Sequence, residues 1–400
     1  MLTKETNERL TQTGPDTPAG QWLRRYWWPV GAVEELAREP VQPVRLLSEN
    51  LTLYQDLKGN VGLIGERCAH RAISLAYGIP QENGLRCAYH GWTYNTEGRV
   101  VDMPFEPACL PLKVKSYPVQ VLAGLVFAYM GPQPAPLLPR WQNLVSENYV
   151  RAIAFKLLPC NWVQCVDNAI DPVHFEHLHG YYGDYYNKRH EVNQRLRTAK
   201  HIRIDFDVFK HTIYKRRLIE GEPEDSPEWT IGHPLLFPAT LDVSNSYQFR
   251  VPIDDQNTMH TIIACRPQKP DEELQDTVPA RREQVRYETF GKVDAPWVQL
   301  QDEMAWIGQG HLSDRTQELL ATSDKGVILF HNLILESIAQ VERGEDPMGV
   351  IRDPAENQPF IELRRGGYVG GGILSLQGEA RPRESDRFAW TGRDGDRQTQ

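Results

Sequence analysis

No uninterrupted apolar run reaches the roughly 18 residues that a membrane-spanning helix needs, so no span is expected. Cysteine is scarce: six in 400 residues, spread from Cys68 to Cys265. That is too few and too scattered for a disulfide framework. Basic residues are not in excess either. Lys and Arg total 44 against 53 Asp and Glu, a formal net charge of −9, which argues against a nucleic-acid partner, since phosphate binding needs concentrated positive charge. Internal repeats and long low-complexity tracts are missing, so no solenoid is expected. The start, Met1 to Arg9, is polar and charged and lacks the apolar stretch of a secretory signal. The expectation is a cytoplasmic protein, where thiols stay reduced and cysteines more often serve metals than disulfides.

What remains is an ordinary globular composition, 40% hydrophobic and 24% charged, long enough for one large domain or two smaller ones. Residues 1–40 hold an early Gly14-Pro15 turn and an aromatic-rich helix candidate around Trp22 to Trp28, which Pro29 should end or redirect. From Val44 to Tyr129 short β-like runs (Leu51–Tyr54, Val61–Ile64, Leu85–Cys87, Trp92–Tyr94, Leu125–Tyr129) alternate with turn residues at Lys58-Gly59-Asn60, Glu82-Asn83-Gly84 and Glu97-Gly98. That spacing predicts a small antiparallel β domain over residues 41–132. A proline-rich link from Pro132 to Pro139 marks the boundary. Beyond it, helical periodicity around Trp162–Leu178 and Leu300–Glu342 flanks strand-like segments at Ala152–Leu158, His201–Ile213, Ser246–Val251 and His260–Arg266. The pattern predicts an α+β domain over 133–378 with an antiparallel sheet, followed by a polar tail, 379–400.

Two dense constellations carry chemistry. In the β domain, Cys68-Ala69-His70 is followed by sixteen residues and then Cys87-Ala88-Tyr89-His90. A Cys2His2 set can hold zinc or an iron–sulfur cluster. Zinc fingers usually pair Cys with Cys and His with His at wider spacing. Here each pair is one Cys plus one His, which suits a Rieske [2Fe–2S] centre, where two cysteines bind one iron and two histidines the other. Turn residues Gly78, Pro80, Gly84 and Gly91 allow two loops to close on a cluster.

After the linker comes Asp167-Asn168-Ala169-Ile170-Asp171-Pro172-Val173-His174, then His177 and His179. Two His and one carboxylate with open positions commonly hold a dioxygen-activating iron(II). His174 and His179 are five apart, about 140° around an ideal α-helix, so they converge only if the second lies at or beyond a helix end. His174 and His177 share a face better, and spacing alone leaves both pairings open. Asp171 before Pro172 also fits a helix N-cap. A third ligand from elsewhere is needed, and Asp302 and Glu303 are adjacent candidates.

Cys68-Ala69-His70-Arg71, Cys87-Ala88-Tyr89-His90-Gly91-Trp92 and the following Val101-Asp102-Met103-Pro104 resemble the cluster loops of Rieske non-haem iron ring-hydroxylating oxygenases. Asp171, His174 and His179 match that family's Asp-x-x-His-x-x-x-x-His motif, and the context of Asp302 resembles its phthalate-dioxygenase and aromatic O-demethylase branch. The first loop departs in the stretch Ala69-His70-Arg71-Ala72: Ala69 stands where many relatives have Pro, and Ala72 where many have Gly, neither being a ligand. The resemblance implies that Cys68, Cys87, His70 and His90 bind the cluster. It implies iron at His174, His179 and Asp302, with Asn168 nearby and Asp171 bridging His90 of one subunit to His174 of the next. It implies a homotrimer or stacked trimers, an NAD(P)H-dependent reductase with flavin and an iron–sulfur cluster, O2, and a small aromatic substrate bearing a carboxylate. Ring dihydroxylation and oxidative O-demethylation share this machinery, and a monooxygenase acting on a non-aromatic or N-methyl substrate is the alternative. The segment from Tyr181 to Pro238 is expected to contribute much of the pocket, and its aromatic residues suit an aromatic ligand. Arg203, Lys210, Lys215, Arg216 and Arg217 are candidates to pair with a substrate carboxylate.

Overall fold

The computed structural model describes residues 1–191, 200–243 and 245–364; the expected polar tail lies outside them. Strands Val41–Leu46, Glu49–Gln55, Val61–Gly65 and Ser116–Tyr117 form one antiparallel sheet. A second, from Ile79–Gln81 to Val100–Asp102, carries the Cys87 loop. The expected turns close these hairpins. At Gly84 a Cβ would lie 2.0 Å from the Tyr94 carbonyl oxygen, with φ at +137°, so only glycine fits.

The Trp22–Trp28 helix is only half present. Thr17 caps a helix over Pro18–Leu23, but Trp27–Ala32 is a strand paired with Leu125–Tyr129. Pro29 falls on the edge strand of that three-stranded sheet, beside a bulge, where its missing N–H is tolerated. The N-terminal segment packs into the common core. Trp22 lies 5.9 Å from Trp162 and 5.8 Å from Phe237, ring to ring. Truncating so buried an aromatic costs about 3–5 kcal/mol.

The large sheet has eight strands. It is antiparallel except where Ala280–Glu283 runs parallel to Tyr149–Leu158. The expected strand His201–Ile213 is a hairpin, His201–Val208 with Thr212–Ile219. Likewise Trp162–Leu178 breaks at Asp171-Pro172, since proline supplies no amide to continue the first helix. Leu300–Glu342 resolves into helices Val298–Gly308 and Lys325–Glu342. The longer one buries Val327, Phe330, Ile334, Ile338 and Val341, a helical stripe against the core. No helix among the described residues is long and apolar enough to cross a membrane.

Candidate metal centres

The two cluster loops are built alike. In the first, the Cys68 amide donates to Ile73 and the Ala72 amide returns to the Cys68 carbonyl; in the second, Cys87 donates to Trp92 and Gly91 returns to Cys87. Each loop turns at the fourth residue after its cysteine, with φ +56° at Ala72 and +79° at Gly91. Both cysteines are buried, while His70 and His90 are exposed at the loop tips. The two imidazoles stand edge to face, 4.4 Å between centroids, and His70 stacks on Trp92. Tyr94 reaches under the first loop, its hydroxyl 3.1 Å from Cys68 Sγ and accepting from the Ala69 amide. Burial, and beyond it the neighbouring Cys68 thiol, push the Cys87 thiol pKa up, so a metal must displace the proton. Two buried sulfurs below two outward imidazoles, with no disulfide, fit a Rieske cluster's division of ligands.

His174, His179 and Asp302 come together: their ligating atoms lie within 4.8 Å of one another. Asp302 Oδ1 is 3.1 Å from His179 Nε2 and 3.5 Å from His174 Nε2. That oxygen is buried without a hydrogen-bond partner, an orphan a cation would satisfy. The histidines converge by a route that α-helical spacing does not contain. Phe175–Tyr182 is wound as a π-helix, whose i→i+5 repeat brings His179 over His174. The expectation that convergence requires a helix end was wrong. His177 instead points outward, its side chain 67% exposed.

Each of the two histidines is oriented through Nδ1. His174 Nδ1 donates to the Asp171 carbonyl at 2.7 Å and His179 Nδ1 to Gln301 Oε1 at 2.9 Å, leaving both Nε2 lone pairs for a metal. The Asp171 carboxylate accepts from the Val173 and His174 amides at 2.7 and 3.1 Å and lies 3.7 Å from His174 Nδ1. Asp171 is thus the C-cap of the first helix, and its carboxylate ties down the turn into the second, whose N-cap is His174 rather than the expected Asp171.

Glu303 is not at this site. One residue along a helix turns the side chain by about 100°, and Glu303 points to the other side, fully buried, 3.0 Å from Lys156 Nζ. Burial alone would raise the Asp302 pKa, but His179 and His174 outweigh it and hold the carboxyl well below its usual range. Burial would lower that of His174, yet Asp171 and Asp302 raise it.

A cavity opens beside these ligands, lined also by Asn168, Asp171 and Phe175 and, from the sheet, by Lys215, Arg217, Leu241, Val243, Gln248 and Arg250. The segment from Tyr181 to Pro238 supplies Lys215, Arg217, Glu228, Gly232 and His233, but among the described residues none of its Phe, Tyr or Trp side chains lines the cavity. Tyr181 and Tyr185 are exposed, Phe237 is core, and Trp229 lies under Arg203 and Arg216. Strand alternation sorts the basic candidates. Lys215 and Arg217 face the cavity, whereas Arg216 turns away to Asp205 and Asp207, Arg203 to Glu224 and Lys210 to Glu356. Burial pushes the Lys215 ammonium down to about 7. Sequence reasoning missed Arg250. Its signal was legible in Tyr247, Phe249 and Val251, which alternate into the core and leave Gln248 and Arg250 on the cavity face.

Comparison with known proteins gives four further findings. Residues 26–118 match the Rieske [2Fe-2S] domain family. The chain is 39% identical over 382 residues to the 5,5'-dehydrodivanillate O-demethylase oxygenase subunit of Sphingobium sp., covering 93% of this chain and 89% of that one. It is 31% identical over 402 residues to the phthalate 4,5-dioxygenase oxygenase subunit of Pseudomonas putida, covering 87% and 89%. Among solved structures, the terminal oxygenase of carbazole 1,9a-dioxygenase from Novosphingobium sp. shares the fold, with a TM-score of 0.59 at 21% identity over 83% of this chain and 97% of that one.

Proposed function

The chain belongs to the Rieske non-haem iron oxygenase family, and we propose that it is the oxygenase component of a system oxidising a small aromatic carboxylate by O-demethylation or ring dihydroxylation. The convergence of His174, His179 and Asp302 beside a cavity with cationic walls carries this reading. Similarity to an O-demethylase and to a dioxygenase, each matched over most of its length, supports the reaction class.

On this reading residues 41–132 form the cluster-bearing unit and 133–378 the catalytic unit. Cys68 and Cys87 hold one iron of the cluster, His70 and His90 the other; His174, His179 and Asp302 hold the mononuclear iron. When bound, the cluster relays single electrons drawn from NAD(P)H through a partner reductase, and the mononuclear iron activates O2. The chain's residues do the rest. The Asp171 carbonyl and Gln301 fix the ligand imidazoles, Asn168 faces the cavity, and Leu241 and Val243 exclude water from it. Asp171 is the bridging residue between His90 of a neighbouring subunit and His174. The exposed loop tips, with Tyr89 52% and Phe105 fully exposed beside them, suit burial against a neighbour in a homotrimer or stacked trimers. The protein acts in the cytoplasm.

The deciding experiment is product mass under isotopic oxygen, with purified chain, a surrogate reductase and NADH against phthalates, benzoates and methoxylated aromatic acids. Methyl loss with formaldehyde release marks an O-demethylase; gain of two labelled oxygens marks a dioxygenase. No oxygen-dependent product from any aromatic acid would reject the reading.

A further inference from the structure

Two cations in the cavity wall lack a counter-charge. Arg217 is neutralised by Glu228 at 2.6 Å. Lys215 Nζ bonds the Ala169 carbonyl oxygen and forms no ion pair among the described residues. Arg250, 1% exposed, bonds the Gln248 carbonyl and Oε1, and its Nε has no partner. Nor do the nearby carboxylates supply the missing charge. Asp302 is turned to the two histidines, and Asp171 is taken up by two backbone amides. Lys215 and Arg250 are thus basic groups in low-dielectric surroundings with no carboxylate in direct contact among the described residues, although the field of Asp302 reaches both. Burying such groups without a bonded counter-charge is unfavourable, and a ligand anion in the cavity would supply that charge.

Their placement narrows the ligand. Lys215 sits on Thr212–Ile219 and Arg250 on Ser246–Asp254, strands separated in the sheet by His233–Leu236 and Thr240–Val243. Between them the cavity wall is formed by Leu241 and Val243, with Gly232 and His233 beside them. The metal ligands come from helices on the other side. A flat apolar body against Leu241 and Val243, with its charge on the cations, would face His174, His179 and Asp302.

The geometry points to Lys215 and Arg250 as the residues that select the substrate, holding it as an aromatic carboxylate anion by its carboxyl group. This rests on the reading of the cavity as the oxygenation site. A guanidinium offers a two-pronged donor and an ammonium a point charge, so Arg250 orients the carboxylate and Lys215 adds attraction.

The test is anaerobic calorimetric titration of the holoenzyme with phthalate and 4-methoxybenzoate, each against its primary amide, a neutral analogue of similar shape. In the wild-type protein at least one acid should bind about tenfold or more tightly than its amide, as expected for a charged hydrogen bond. Lys215→Met should weaken that acid at least about tenfold while moving the amide less than about twofold. Arg250→Lys keeps the charge and guards against misfolding; it should weaken the acid by a smaller factor. An unchanged Rieske spectrum and iron content certify the variants. Equal binding of acid and amide, no acid binding below about 10 mM, or unchanged acid affinity in Lys215→Met would overturn the proposal. The two readings fail separately. Oxygen-dependent turnover of neutral compounds alone would keep the oxygenase and discard the anion site. Lys215-dependent acid binding without oxygen uptake would do the reverse.

Discussion

His174 and His179 stand five residues apart, yet their rings lie 5.1 Å apart and nearly perpendicular, each presenting Nε2 to Asp302 Oδ1. The π-helical winding between them makes this pair possible. An α-helix over the same residues would bring His177 toward His174 instead. Losing His174 should therefore empty the mononuclear site without touching the cluster loops. His174→Ala is expected to drop iron from about three atoms per chain to about two, two being the cluster's share. Its Rieske absorption and electron paramagnetic resonance should be retained and turnover abolished. Retained turnover would refute the assignment of this site.

Asp302 and Glu303 offer a sharper contrast, because they are neighbours with opposite surroundings. Asp302→Asn replaces the orphan oxygen's carboxylate and should lose mononuclear iron. Glu303→Gln should keep the iron but destabilise the fold, since it strands Lys156 Nζ, which lies 3.0 Å from Glu303 and 3.2 Å from Glu283. Breaking a buried pair costs about 3–5 kcal/mol, softened here by the second partner. Metal analysis and thermal melts of both variants read the two outcomes. Iron loss in Glu303→Gln at an unchanged melting temperature would reverse the assignment.

Much of this was legible in the sequence, and the limits have physical causes. The proposed cluster ligands Cys68, His70, Cys87 and His90 lie in two short loops, so spacing alone makes them candidates. The iron ligands were ambiguous because α-helical periodicity is the wrong ruler for a π-helix. Asp302 and Glu303 could not be separated because only the packing of Val298–Gly308 decides which one faces inward. The pocket aromatics failed for a plainer reason: Phe237 contributes to the core, and Tyr181 and Tyr185 to the surface.

The pH dependence of iron loading follows from His174. Burial would lower its pKa, but Asp171 and Asp302 raise it above the ordinary 6.5. In the protein stripped of mononuclear iron, the protonated ring stabilises the fold at low pH. That contribution is lost as pH rises through the raised pKa. Iron needs the neutral ring, so its affinity should run the opposite way and weaken on acidification. Titrating Fe(II) into stripped protein at about pH 8 and about pH 6 should show the affinity falling by up to about tenfold per unit for each proton displaced. Affinity independent of pH would show that His174 is not a ligand.

Asp171 should matter for electron delivery rather than for metal binding. Its carboxylate contacts backbone amides and lies 3.7 Å from His174 Nδ1, and it lines the cavity. Asp171→Asn keeps the shape and one acceptor oxygen. Both metals are expected to stay loaded while reoxidation of the reduced cluster in a single turnover slows by about ten- to a hundredfold, the range for loss of an outer partner of a metal ligand. An unchanged rate would remove Asp171 from the route.

The last expectation concerns the departure at Ala72. Gly91 occupies the matching position of the second loop, and both residues have positive φ, +56° at Ala72 and +79° at Gly91. Both amides close the same turn onto the preceding cysteine carbonyl. For a residue with a Cβ the left-handed conformation costs about 1–2 kcal/mol. Glycine escapes that penalty but carries more entropy in the unfolded chain, about 0.5–1 kcal/mol against alanine. The two terms leave a net gain for Ala72→Gly of up to about 1 kcal/mol. Because Ala72 is exposed, no packing is lost to offset it. The readout is thermal bleaching of the Rieske chromophore, which should move to higher temperature in Ala72→Gly while the cluster's spectrum stays fixed. A lower bleaching temperature would mean that the first loop is not held in the left-handed turn, and that the two loops are not built alike.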